Sequence, residues 1–103
     1  VVSTDDPEIE AASRRAGAEV VRRPAEISGD TASSESALLH ALERLASGNG
    51  EGEGYRPELV VFLQCTSPLT LAEDIDGTIR ALLDADADTA LAVTPFHHFL
   101  WRE

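Results

Sequence analysis

Apolar positions recur at two kinds of spacing along this chain. Ile9, Ala12 and Ala16 follow steps of three and four, which predicts a short helix over about residues 7–15. Asp6-Pro7-Glu8 gives that helix its start. Asp is a good N-cap, Pro is preorganised for the first helical position, and Glu suits the positive end of the helix dipole. Gly17 is the expected stop. Leu38, Ala41, Leu42 and Leu45 make a second stripe and predict a helix over about residues 33–47. A third stripe of Leu71, Ile75, Ile79 and Leu82 is the expected buried face of another helix, opened by a capping box of Thr70 and Glu73.

Between these helices the pattern changes. Val1-Val2-Ser3-Thr4 reads as the end of a strand running into a loop, and Glu19-Val20-Val21-Arg22 as a second short strand. Residues 24–32 are rich in turn formers and predict a loop. Residues 47–56, with Gly48, Gly50, Gly52 and Gly54 among acids, are expected to be mobile. Leu59-Val60-Val61-Phe62-Leu63 is an unbroken apolar run of the kind a central parallel strand shows. Residues 89–94, with Leu91 and Val93, predict a last strand. Strands alternating with helices predict an α/β fold, its sheet mostly parallel, with helices on both faces. The chain opens within a strand and leaves another at 96–103, so it is expected to be an internal segment of a larger domain; the alternative is an intact small domain.

Composition narrows the function classes. The 103 residues carry 19 Asp and Glu against 8 basic residues, all of them Arg, for a net charge of −11. That balance argues against nucleic acid as a partner, which requires a basic face. A phosphate ligand stays open, because a few placed arginines outweigh the net charge locally. The lone Cys65 excludes an internal disulfide, and it has no adjacent base to make it a nucleophile. No apolar run is long enough to span a membrane and no signal segment opens the chain, so a cytoplasmic protein is expected. Adjacent His97 and His98 on an extended segment would point to opposite sides, which suits packing or a subunit contact better than a shared metal. Glu51, Glu53 and Glu58 read as a solvated charge run.

Ligands of open α/β sheets bind beyond the carboxyl ends of the strands. Three polar loops fall there: residues 3–6, 23–34 and 64–69. Their residues, in order, are Ser3-Thr4-Asp5-Asp6-Pro7-Glu8-Ile9, Arg23-Pro24-Ala25-Glu26-Ile27, Asp30-Thr31-Ala32-Ser33-Ser34 and Leu63-Gln64-Cys65-Thr66-Ser67-Pro68-Leu69. Together, with His40-Ala41-Leu42-Glu43, Glu73-Asp74-Ile75 and Val93-Thr94-Pro95 following in register, they resemble the acylneuraminate cytidylyltransferases over nearly the whole chain.

The resemblance implies a Rossmann-like nucleotidyltransferase domain, of which residues 1–103 would be one part. It implies that the anomeric hydroxyl of a nine-carbon 2-keto sugar acid attacks the α-phosphate of CTP and that pyrophosphate leaves, with Mg²⁺ neutralising phosphate charge, in a homodimer. Arg23 matches the arginine that approaches cytosine, whose O2 and N3 suit a guanidinium fork, and Ala32 and Ser34 match positions at the base edge. Gln64 matches a glutamine facing the sugar acid, with Thr66 and Ser67 beside it. On that reading Arg23 and Gln64, 41 positions apart, flank one cleft.

Each assignment has a plainer counterpart. Arg23 could form a surface ion pair with Glu26, Gln64 could close a strand end, and Thr66 and Ser67 could only hold a turn. Asp30 is expected to fix its loop through side chain to backbone bonds. Two positions depart from the family: Cys65 stands where it has Pro, and Thr70 where it has Arg. The family's phosphate loop would precede position 1 and its metal-binding aspartates would follow position 103, so no catalytic or metal-ligating residue is assigned here, and the segment alone is expected to be inactive. Alternatives are a non-catalytic α/β binding or assembly module, and the same chemistry on a different nonulosonic or related acid.

Overall fold

A computed structural model describes residues 1–48 and 53–95. The chain divides into two compact units, Val1–Val60 and Val61–Glu103.

The first unit is a β-α-β arrangement followed by a helix. Strand β1 (Val2–Thr4) leads into helix α1 (Pro7–Arg15), strand β2 (Val20–Arg22), a 3₁₀ turn at Ala25–Ile27 and helix α2 (Ser34–Ala46). The strands pair in parallel, with Val2 opposite Val20, Ser3 opposite Val21 and Thr4 opposite Arg22. Hydrogen bonds from Val2 N to the Glu19 carbonyl and from Arg23 N to the Thr4 carbonyl, each 2.8 Å, close the ladder at its two ends. The expected α/β class and parallel pairing are both present.

α1 starts where the sequence places it. The Asp6 carboxylate accepts from Glu8 N at 2.7 Å and Ile9 N at 2.9 Å, satisfying two donors of the open first turn. At the other end Gly17 takes φ +81°, so its N–H reaches the Arg14 carbonyl and the Ala18 N–H reaches that of Ser13. The packing of α1 differs from the expected stripe. Its half-buried residues are Glu10 and Ser13, while Ile9 is 51 % exposed. Glu10 accounts for this: one oxygen pairs with Arg14 (3.3 Å) and the other with Arg22 of β2 (3.6 Å), which turns that face of the helix toward the strand.

α2 follows its pattern closely. Ala37 and Leu45 are buried, and Leu38, Ala41 and Leu42 are half-buried. Ser33 caps its start by accepting from Ser36 N at 3.2 Å. Gly48 ends it at φ +86°, donating to the Leu45 carbonyl. With Thr4, Val20 and the fully buried Val21, Ala37 and Leu45 are the buried residues of this unit's core. Within the stretch expected to be mobile, 49–52 lie outside the described residues. Gly48 is buried and Tyr55 N donates to the Leu45 carbonyl at 3.0 Å, so both flanks are tied to the end of α2.

Two expected strands are not formed among the described residues. Residues 59–63 have no ladder hydrogen bonds and are 41–59 % exposed. Residues 89–94 are likewise unpaired, with Leu91 and Val93 exposed. A buried parallel strand needs a neighbour to bond to and layers to cover both faces. The sheet among the described residues consists of β1 and β2 alone.

The second unit contains helix α3 (Ala72–Asp84). Ile75, Ile79 and Leu82 lie on its less exposed side as expected, but Leu71 is exposed. Leu71, not Thr70, is the N-cap, and Asp74, not Glu73, reaches back to accept from Leu71 N at 3.0 Å. The Thr70 hydroxyl is drawn off by the Ser67 carbonyl, to which it donates at 3.0 Å. The helix ends through Asp86 at φ +48°, whose N–H reaches the Leu83 carbonyl while Ala87 N reaches that of Leu82. This is the same glycine-type termination as at Gly17, carried by an Asp.

Three outcomes follow from these helix ends, each read by urea unfolding of the intact protein. Asp6→Ala is expected to cost about 0.5–2 kcal/mol, and Asp6→Asn much less, because the amide still accepts. Asp86→Gly is expected to stabilise α3 by up to about 1 kcal/mol, because it relieves a left-handed conformation at a side chain. Glu35, in the first turn of α2, is held below the ordinary carboxylate range by its own backbone N–H and then by Ser33. A depressed folded value contributes stability that is full above the unfolded value and is lost as pH falls through the folded one. The stability gap between the wild type and Glu35→Gln should therefore close on acidification; a gap that widens would contradict the assignment.

Candidate nucleotide-binding cleft

The Ser3-Thr4-Asp5-Asp6 turn divides its work among its side chains. Thr4 is 4 % exposed, and its hydroxyl accepts from Asp6 N at 3.1 Å. That bond sets the chain direction after β1 and delivers Asp6 to the helix cap. Asp5 is left to the cleft, where its carboxylate accepts from Arg23 Nη2 at 3.3 Å.

Arg23 leaves the end of β2 beside this turn. Its backbone N–H donates to the Thr4 carbonyl, and its Nε donates to the Ser28 hydroxyl at 3.2 Å. Ser28 in turn donates to the Pro24 carbonyl at 2.8 Å, which orients its lone pairs toward the guanidinium. The Arg23 side chain is 25 % exposed, and Nη1 has no partner among the described residues. Its ion-pair partner is Asp5, not Glu26. An ion pair this open adds little stability; what the contacts do is hold a planar donor group with spare N–H bonds in a fixed pose.

These residues border an open cleft of about 810 Å³. It runs along β2 from Val20 to the loop at Arg23-Pro24-Ala25 and is lined also by Arg14, Arg22, Arg44 and His40. The carboxylates Asp5 and Glu10 face it as well. The sequence pointed to Arg23 here. It named His40 only within a stretch that carries the resemblance and did not name Arg44; the signal of both is their spacing of four on one side of α2.

Ala32 and Ser34 are exposed and stand outside the cleft lining, at the approach to α2 and in its first turn. Ala32 N donates to the Gly29 carbonyl at 2.9 Å, and this backbone bond closes the turn. Asp30, expected to fix this loop, makes no side-chain hydrogen bond among the described residues; the Gly29–Ala32 backbone bond does the work instead.

Gln64, Thr66 and Ser67 belong to the second unit. Ser67 N donates to the Gln64 carbonyl at 3.0 Å, and Thr70 N to the Ser67 carbonyl at 3.3 Å, so two successive turns carry these residues. The Thr66 and Ser67 hydroxyls have no partner among the described residues, and Cys65 is exposed at the first turn. His97 and His98 lie outside the described residues. Among the described residues there is no group of three or more side chains that could hold a metal ion, and no helix is long and apolar enough to cross a membrane.

Comparison with known proteins adds a lineage to this geometry. The chain is 29 % identical over 102 residues to an N-acylneuraminate cytidylyltransferase of Oncorhynchus mykiss. It is 31 % identical over 104 aligned residues to N-acylneuraminate cytidylyltransferase B of Danio rerio. Each alignment covers 99 % of this chain and 22 % of the relative, so the chain spans about a fifth of the length of these proteins. No solved structure matches it. The family profile described as Cytidylyltransferase matches residues 1–99, nearly the full length, and the chain belongs to the cytidylyltransferase family.

Proposed function

We propose that the protein carrying this chain transfers a cytidylyl group from CTP to a sialic-acid-like 2-keto sugar acid. The sugar's anomeric hydroxyl forms a bond to the α-phosphorus, the bond to the β-phosphate oxygen breaks, and pyrophosphate leaves. The observation that carries the nucleotide half is Arg23, fixed by Asp5 and Ser28 at the carboxyl end of β2 with donors to spare. A preoriented guanidinium can give paired N–H bonds to the adjacent O2 and N3 acceptors of cytosine. Ala32 and Ser34 are assigned to the base edge, where a backbone carbonyl would accept from the N4 amine that uracil lacks.

The sugar half rests on the activity for which the two fish relatives are named and on Gln64, Thr66 and Ser67. An amide that both donates and accepts, next to two hydroxyls without partners among the described residues, suits a polyhydroxy acid. The described residues offer no side-chain cluster fitted to Mg²⁺, so no step is assigned to the metal through this chain. A homodimer, implied by the resemblance, and a cytoplasmic location belong to the same proposal.

Steady-state kinetics of the intact protein test both halves. Arg23→Ala is expected to raise the KM for CTP by the equivalent of about 1.5–3 kcal/mol, the usual scale for a charge-assisted hydrogen bond. Ser28→Ala should move it in the same direction by less, because the guanidinium is loosened but still present. Gln64→Ala should raise the KM for the sugar acid and leave that for CTP nearly unchanged. Unaltered CTP kinetics in Arg23→Ala would remove the nucleotide assignment.

A further inference from the structure

The cleft of the first unit has a local charge opposite to that of the chain. Four of the eight arginines line it, facing only two carboxylates, in a chain of net charge −11. Three of those arginines are already engaged. Arg14 and Arg22 share Glu10, and Arg23 is held by Asp5.

Arg44 differs from them. It makes no ion pair among the described residues and is exposed in the last turn of α2. His40 stands four positions before it, so the two side chains are neighbours on one face of the helix, and both line the cleft. His40 has a further peculiarity: its Nδ1 is out of contact with solvent and has no hydrogen-bond partner. A buried ring nitrogen without an acceptor is less costly as a lone pair than as an unpaired N–H. In the neutral ring the proton therefore sits on Nε2, and His40 supplies a single N–H donor beside the guanidinium of Arg44.

We propose that Arg44 and His40 form an anion subsite in this cleft, separate from Arg23, that takes a phosphate-class oxyanion. A guanidinium and an adjacent neutral N–H match a compact group with several acceptor oxygens. The excess of arginines over carboxylates around them favours an ion of more than one negative charge. The oxyanion has two possible sources, a free ion such as phosphate or pyrophosphate, or the phosphate chain of a nucleotide held in the same cleft. The subsite stands apart from the cytidylyl-transfer reading, because it needs neither the base contact nor the sugar acid.

The test is calorimetric titration of the intact protein with inorganic phosphate, pyrophosphate and CTP, alongside the ¹⁵N side-chain signals of His40. The wild type is expected to bind phosphate or pyrophosphate with a shift of the His40 signals. Arg44→Gln should weaken that binding about tenfold or more, and Arg44→Lys should lie between, keeping the charge but losing the fork. Arg44 is exposed, and unchanged circular dichroism confirms that its variants fold. Arg23→Ala should weaken phosphate binding by much less than Arg44→Gln does. Displacement of the ion by CTP would identify the nucleotide's own phosphates as its source, and simultaneous binding a free ion; either outcome supports the subsite. Three results would overturn it: no binding of either ion up to about 10 mM, equal affinity in Arg44→Gln, or as large a loss in Arg23→Ala as in Arg44→Gln. Failure of the cytidylyl-transfer reading would show separately, as absent CTP binding with phosphate binding retained.

Discussion

One backbone hydrogen bond organises the first unit: Arg23 N to the Thr4 carbonyl, 2.8 Å, at the carboxyl end of the parallel pair. In a parallel ladder both strands end at the same edge, so this last rung brings two loops together that are far apart in sequence. Thr4 supplies the rung through its carbonyl and the following turn through its hydroxyl. Because Thr4 is buried, both bonds are shielded from water and the two loop origins are fixed relative to each other. The Asp5–Arg23 contact is a consequence of that junction. The ion pair does not build the site; the ladder places the pair.

The carboxylates of this acidic chain have separate structural uses. Asp6 is a helix cap, Asp5 steadies one guanidinium, and Glu10 bridges two others. Each works at short range, so the arginines around the cleft are arranged by acids without being neutralised as a set.

The helices were legible in the sequence because their signals are local. Asp6-Pro7, Gly17 and the stripe through Leu38, Ala41, Leu42 and Leu45 act within a few residues, and the structure follows them. The cap of α3 slipped by one residue because two acids, Glu73 and Asp74, compete for the return bond and the Thr70 hydroxyl has a nearer acceptor at Ser67. The strands at 59–63 and 89–94 could not be decided locally. An apolar run records that a segment suits burial, but pairing depends on neighbours elsewhere in the chain. For the site, Arg23 was singled out by the resemblance to the acylneuraminate cytidylyltransferases, whereas its holding partners did not follow from proximity in sequence. Asp5 is 18 positions away and reaches Arg23 only through the parallel ladder.

The unpaired run from Leu59 to Leu63 has a consequence for handling the chain by itself. Five successive β-prone apolar residues, without an internal charge, proline or glycine, are partly exposed and form no strand ladder among the described residues. Such a segment is a template for the same segment of another copy, and intermolecular sheet growth satisfies both its backbone and its side chains. The overall charge of −11 opposes this at low ionic strength, but salt screens that repulsion while leaving the apolar attraction in place. Self-association of the isolated 103 residues is thus governed by ionic strength as much as by concentration.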